Sequence, residues 1–345
     1  MKRFGNLYEK IYDIDNLRLA HLNARKGKTH YKEVQKIDRN IDYYTNKLRE
    51  TLVNETFKNS EYKIFEKLDK GKQRTIYVLP YFPDRILHHA IMQVLEPIWK
   101  KVLIRDTFQS IKGRGTSDAR RRVRKGIKSG KAKYCLKFDI KKYYPSINNS
   151  VLMMLIKKKI KCSKTLRLLS EIVYSSKGVP IGNYLSQYFG NIYLAYFDHW
   201  VKEVLKVKRY YRYCDDIVIL ENFKKKLHRT FKAITIYLKK NLQLVIKQNF
   251  QVFPVNSRGV DFCGYRFFEK ITRLRTSIVK RFKKKIRFIE KNHNSMTRIA
   301  VLNGIASYWG WLKPIRHALY NKYVVNNLKI NKIYDNTITR TACIV

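Results

Sequence analysis

The sequence predicts an α+β fold, because short β-patterned stretches alternate with long helical ones along a chain of 345 residues. Three observations carry that reading. Residues 210–220, YYRYCDDIVIL, hold two aromatic and β-branched runs interrupted by Asp215 and Asp216. Residues 134–138 form a further short apolar strand, closed by Asp139. Residues 83–96 and the aromatic stretch that ends near Leu205 keep apolar residues at helical spacing over lengths that strands do not reach.

Taken in order, residues 1–60 are polar and Lys-rich, with Tyr, Leu and Ile recurring every three to four positions, and predict an N-terminal helical extension. From Tyr62 a Gly-centred basic turn separates two strands, and Pro83 opens a helix. Lys72 and Arg74 at that turn read either as a solvated hairpin or as a cationic flap over a triphosphate. Gly113, Arg114 and Gly115 then lead into a basic helix started by Thr116, Ser117 and Asp118. No Gly-Lys-Ser/Thr follows, which excludes a P-loop. Gly178, Pro180 and Gly182 shape a turn that feeds the long aromatic helix, expected to pack beneath the Asp139 strand and the aspartate hairpin. Ser186 and Gln187 on it are either an idle polar pair facing a groove or a template or primer contact. Residues 271–345 form a basic helical tail containing Trp309, Trp311 and Pro314.

The composition limits the partners. With 74 Lys and Arg against 26 Asp and Glu, the formal net charge is +48, which calls for a polyanion. Basic clusters at residues 119–133, 157–161 and 281–285 alternate with Tyr and Phe, combining phosphate contacts with stacking surfaces. Nucleic acid is therefore favoured over a membrane surface. No apolar run approaches spanning length and no signal-peptide core opens the chain. Cys135, Cys162, Cys214, Cys263 and Cys343 lack zinc-ligand spacing and read as reduced thiols of a cytoplasmic protein. His88 and His89 fall in an apolar helix and read as structural.

Asp-Asp is turn-compatible, so the hairpin is expected to carry both carboxylates at its tip. The pair is either an ordinary acidic turn or half of a divalent-metal site with oxygen ligands. Asp139 at a strand end supplies the third carboxylate that a two-magnesium site for in-line phosphoryl displacement requires.

The basic turn, the GRG segment, FDIKKYYPSI, GVPIGNYLSQ, YCDD and VDFCGYRF follow one another in an order that resembles a bacterial reverse transcriptase of the group II intron-like lineage. The IGNxxSQ turn resembles the diversity-generating retroelement enzymes, where other members usually place Gln at the position of Ile181. The resemblance implies a right-hand polymerase fold, with fingers and palm over residues 61–270 and a helical thumb over 271–345. It implies that Asp139 and Asp215 hold two magnesium ions, or manganese, that Asp216 completes the acidic set, and that the Ile140 carbonyl joins as a ligand. Tyr144 matches a steric gate against a ribose 2′-OH, and Lys72 and Arg74 match residues on the incoming triphosphate. Lys247 falls where a lysine protonates the departing pyrophosphate. Ile181, Gly182, Ser186 and Gln187 belong to the substrate side, and residues 263–267 to the hairpin that grips the primer end.

The implied partners are an RNA template, the RNA/DNA hybrid, deoxynucleotides, and a structured noncoding RNA or accessory protein for priming, since no stretch is left for an RNase H or endonuclease domain. A non-catalytic RNA-binding scaffold has no chemical reason to keep three aspartates and the gate, and a two-metal nuclease does not explain the gate or the fingers turn. Retroelement diversification and antiphage defence share this motif set and are separated by neighbouring genes and RNAs. Ile181 offers only shape and dispersion where Gln offers a hydrogen bond, so low fidelity is expected, falling in the resembled family chiefly at template adenines.

Overall fold

A computed structural model describes residues 2–69, 71–130, 132–292 and 295–315. The end of the basic tail and Cys343 lie outside the described residues; the other four cysteines are free thiols, as expected. Four helices come first, α1 (Tyr8–Tyr12), α2 (Ile14–Ala24), α3 (Lys32–Arg39) and α4 (Ile41–Val53). Their apolar faces bury Leu17, Val34, Ile37, Leu48 and Leu52, and Asp13 caps α2 by accepting from the N–H groups of Asp15 and Asn16. The basic hairpin follows as β1 (Lys63–Asp69) and β2 (Lys72–Val78), with Gly71 at φ 75° in the turn.

The next helix is α5 (Ile86–Lys100). Phe82 precedes the proline and is extended (φ −112°, ψ 134°), whereas the backbone from Pro83 to Arg85 is helical and runs on into α5, so Pro83 opens the helix as expected. Within α5, His88 and His89 are buried. Burial above all, with the Arg85 charge adding to it, pushes them down to about 3 and about 4. They are neutral packing groups, His89 stacked on Tyr184 with ring centroids 4.0 Å apart.

The remainder runs α6 (Thr116–Lys128), β3 (Tyr134–Asp139), a 3-10 turn at Tyr144–Ser146, α7 (Asn149–Lys157), α8 (Ser163–Val173), α9 (Tyr184–Glu203), β4 (Tyr210–Tyr213), β5 (Asp216–Glu221) and α10 (Lys224–Leu242). It continues with β6 (Gln251–Pro254), α11 (Val255–Arg258), β7 (Val260–Phe262), β8 (Tyr265–Phe267), β9 (Thr272–Leu274), α12 (Thr276–Asn292) and α13 (Arg298–Leu312). Among the described residues three sheets result, ordered β1-β2, β4-β5-β3-β6 and β7-β8-β9. No helix among the described residues is long and apolar enough to cross a membrane.

The chain groups into two compact units. One contains Met1–Ala119, Leu136–Ile219 and Lys225–Gln251; the other contains Arg120–Cys135, Leu220–Lys224 and the described residues from Val252 on. In the second, β7 and β8 turn at Cys263 and Gly264, both at positive φ (47° and 81°), as a two-residue type I′ hairpin requires. A Cβ on Gly264 would lie 2.3 Å from the Trp311 ring, which fixes the hairpin against α13. Here the basic cluster at residues 120–124 also finds a use that the sequence did not signal. Arg124 donates to the carbonyls of Phe268, Glu269 and Lys270, and Arg120 donates to Pro314 while lying over the Tyr265 ring. These two arginines hold a turn and a helix end by satisfying carbonyls that would otherwise need water.

In the first unit α9 is apolar on several faces because it is buried on several faces, through Leu185, Phe189, Ile192, Leu194, Phe197 and Val201. Its one buried charge, Asp198, receives the Arg212 guanidinium from β4 at 2.6–3.0 Å, and both side chains have 0% exposure. Asp198 also accepts from the Tyr210 hydroxyl (2.5 Å) and the Thr107 hydroxyl (3.1 Å). Removing one partner of such a pair strands a charge, whereas removing both does not. We expect Asp198→Asn to cost about 3–5 kcal/mol. The double change Asp198→Leu with Arg212→Met should cost clearly less in urea unfolding of the full chain; equal losses would show that the pair contributes only packing.

Candidate active site

Three backbone devices bring the acidic residues together. Asp139 ends β3, and β5 is its neighbour in the sheet. Tyr213 pairs with Asp216, so the hairpin closes through a two-residue turn made of Cys214 and Asp215, with Cys214 at φ 58°. The tip therefore carries Asp215 alone. Asp216 is the first residue of β5, a correction that follows from the pairing register. Arg212 fixes the turn from behind by donating to the Cys214 carbonyl at 3.1 Å.

The strand end also settles where the Ile140 carbonyl points. The amide of Lys247 donates to the Asp139 carbonyl (2.9 Å) and that of Lys141 to the Val245 carbonyl (2.8 Å), around an antiparallel bridge between Ile140 and Ile246. Alternate residues of a strand face opposite edges, so the Ile140 carbonyl is directed away from residues 245–247, toward the β5 side. That is where a ligand role requires it.

Around these groups lies a cleft of about 760 Å³. Ile140, Tyr144, Ile181, Asp215, Asp216 and Lys247 line it, together with Lys72 and Arg74 of β2. Asp215 is raised above the ordinary carboxylate range, by burial first and then by the Asp139 charge, with Lys247 opposing. Asp216 is pushed up to about 7, again by burial first; Lys137 opposes, while Asp139 and Asp215 add to it. The mutual effects place the three carboxylates in one electrostatic neighbourhood. Two lysines balance them: Lys137 Nζ lies 3.3 Å from Asp216 Oδ2 and Lys247 Nζ 3.6 Å from Asp139 Oδ2.

The donor set fits hard divalent cations. Asp216 Oδ1 is buried without a hydrogen-bond partner, an idle acceptor of the kind a cation would use. Among the described residues no three acidic, His or Cys side chains already form a metal cage. The carboxylates are thus near one another and balanced by ammonium groups, which a cation would relieve.

Tyr144 is held from two directions. Cys214 Sγ donates to its hydroxyl at 3.4 Å, and a Cβ on Gly190 would come within 3.0 Å of its ring. Burial raises the Tyr144 hydroxyl, so it is neutral. The turn that follows is tied to the basic hairpin: the Tyr77 amide donates to the Ile181 carbonyl at 2.8 Å. Gly182, at φ 131°, is required there, because a Cβ would lie 2.2 Å from the Tyr77 carbonyl oxygen.

Ser186 and Gln187 are not among the residues lining the cleft. The Ser186 hydroxyl is buried and donates to the Pro180 carbonyl (2.6 Å), and the Gln187 side chain accepts from the Ser110 hydroxyl (2.5 Å). Ser186 thereby holds the turn at the start of α9, and Gln187 ties α9 to Ser110. The hairpin of residues 263–267 lies in the second compact unit. Sequence reasoning missed Gln109, Lys142, Lys177 and Tyr213, which also line the cleft. Lys142 and Lys177 had no signal beyond their charge, although Lys142 stands inside the FDIKKYYPSI motif. Gln109 is held by Asn191, whose amide donates to its carbonyl at 2.8 Å, a pairing of residues 82 apart that no local pattern shows.

Residues 58–267 match the family described as Reverse transcriptase (RNA-dependent DNA polymerase). The Escherichia coli protein YkfC is 24% identical over 147 residues, 39% of this chain and 38% of YkfC. Apo telomerase from Candida tropicalis is 14% identical with a TM-score of 0.48, over 64% of this chain and 49% of that one. Telomerase from Candida albicans with a fragment of telomeric RNA is 12% identical with a TM-score of 0.47, over 68% and 49%. The chain thus spans about two fifths of YkfC and about half of these telomerase chains.

Proposed function

Because the chain belongs to the reverse transcriptase (RNA-dependent DNA polymerase) family, we propose that it copies an RNA template into DNA, and that it does so in a diversity-generating retroelement. The observation that carries the polymerase reading is one cleft lined by Asp215, Asp216, Tyr144, Lys72 and Arg74, with Asp139 beside the two aspartates. The retroelement reading rests on the IGNxxSQ turn, with Ile181 in the cleft.

Bound magnesium or manganese would be held by Asp139, Asp215, Asp216 and the Ile140 carbonyl and would supply activation of the attacking hydroxyl and charge neutralisation at the leaving oxygen. The chain's own groups do the rest. Lys72 and Arg74 hold the triphosphate of the incoming nucleotide by charge-assisted hydrogen bonds. The Tyr144 ring, pinned by Cys214 and Gly190, fills the space a ribose 2′-OH would need. Lys247, beside Asp139, is placed to give a proton to the departing pyrophosphate. In the second unit α12 buries Ile278, Phe282, Ile286 and Ile289 and exposes Lys280, Arg281, Lys283, Lys284 and Arg287, a basic face suited to the backbone of an RNA/DNA hybrid.

Asp215→Ala with Asp216→Ala should abolish extension of a DNA primer on RNA in magnesium or manganese while leaving the melting temperature unlowered, since two mutually repelling carboxylates are removed. Undiminished synthesis by that variant would sink the assignment. Tyr144→Ala should lower the preference for deoxynucleotides over ribonucleotides by about tenfold or more, roughly 1.4 kcal/mol, in single-nucleotide incorporation kinetics; an unmoved ratio makes the tyrosine a packing residue. Ile181→Gln should lower misincorporation, chiefly at template adenines, in sequenced copies of a defined RNA, because the amide can hydrogen-bond where Ile offers only shape. Equal error rates at every template base would remove Ile181 from the mechanism.

A further inference from the structure

Lys137 is a cation that the polymerase reading leaves without a task. It stands on β3 two residues before Asp139, and residues two apart on a strand share a face, so Lys137 and Asp139 project from the same side of the sheet. From there its ammonium group reaches across to β5 and lies 3.3 Å from Asp216 Oδ2, with both side chains largely buried. The other oxygen, Asp216 Oδ1, is buried and has no hydrogen-bond partner. The two oxygens of one carboxylate are therefore unequal: one is held by a lysine, the other is idle.

We propose that Lys137 is a positioning residue, which holds Asp216 Oδ2 so that Oδ1 alone is presented to a divalent cation. The proposal rests on the reading of Asp216 as a metal ligand. An ammonium suits the task because it is a compact point charge that can satisfy one oxygen, whereas a guanidinium fork engages both oxygens of a carboxylate. Asp216 begins β5 and is held in the ladder opposite Tyr213, so its backbone is set and only the side-chain torsion remains to be fixed. Lys247 cannot substitute, since it pairs with Asp139.

Lys137 as a positioning group and Lys137 as a mere counter-charge predict opposite signs. A cation beside a metal site repels the metal, so deleting a counter-charge tightens metal binding. Deleting a group that orients a ligand loosens it, typically by 10–100-fold. The test is Mn2+ binding to the full chain without nucleotide or template, followed by electron paramagnetic resonance of free Mn2+, for wild type, Lys137→Met and Lys137→Arg. We expect Lys137→Met to bind about tenfold or more weakly, and Lys137→Arg to bind weakly as well because its fork occupies Oδ1. Equal or tighter binding by Lys137→Met overturns the proposal. If that variant does not fold, wild-type affinity in Lys137→Arg overturns it instead. Absence of Mn2+ binding by the wild type overturns the metal reading of the cleft and this proposal with it, whereas wild-type binding unmoved by either substitution overturns the role of Lys137 alone.

Discussion

Arg212 and Asp198 form the contact on which the geometry of the cleft depends, because it converts two separately folded elements into one frame. A charged pair with no exposure is stable only when its remaining hydrogen-bonding capacity is satisfied. Here Tyr210, Thr107, Asn191 and the Cys214 carbonyl supply those partners. The consequence is positional. The guanidinium that binds α9 also binds the turn between β4 and β5, so the place of Asp215 is set by a helix buried behind the sheet. The backbone of Arg212 is engaged as well, accepting from the Phe108 amide and donating to the Asp106 carbonyl, which brings the residues before the GRG segment to the same frame. A network of this kind specifies one arrangement, since any other leaves a buried charge unpaired.

That rigidity is what lets the site hold like charges together. Burial above all, with the Asp139 charge adding to it, raises Asp215 and Asp216, so the folded chain spends stability to keep these carboxylates adjacent. Lys137 and Lys247 reduce the cost without removing it. Lys72, Arg74, Lys142 and Lys177 line the same cleft, so cationic and acidic side chains meet in it. A ligand that brings both phosphates and divalent cations would complement both. The glycines serve the same end by close approach: Gly182 admits the Tyr77 carbonyl, and Gly190 admits the Tyr144 ring.

Much of the α+β right-hand polymerase fold was legible in the chain. The β4–β5 hairpin, β3 ending at Asp139, and α9 follow from β-branched alternation, turn residues and helical spacing, all of which act over a few neighbours. The same local logic misplaced one detail. Two adjacent aspartates read as a tip, but the Tyr213–Asp216 pairing leaves only Asp215 in the turn.

The sequence by itself determined most of the elements, the excess of cationic charge and the carboxylates at the strand ends, because each is written in residue type and short-range spacing. Only the tertiary structure decided which polar groups face the cleft and which hold the frame. Ser186, Gln187, Arg120 and Arg124 are open in one dimension between a ligand contact and an internal one, and in the fold each is engaged by the protein's own backbone or side chains. Lys137, Gln109 and Arg212 look ordinary and prove to meet partners 79, 82 and 14 residues away. A hydrogen bond forms with whatever group the fold brings within reach, and that distance is a property of the packed chain, not of its order.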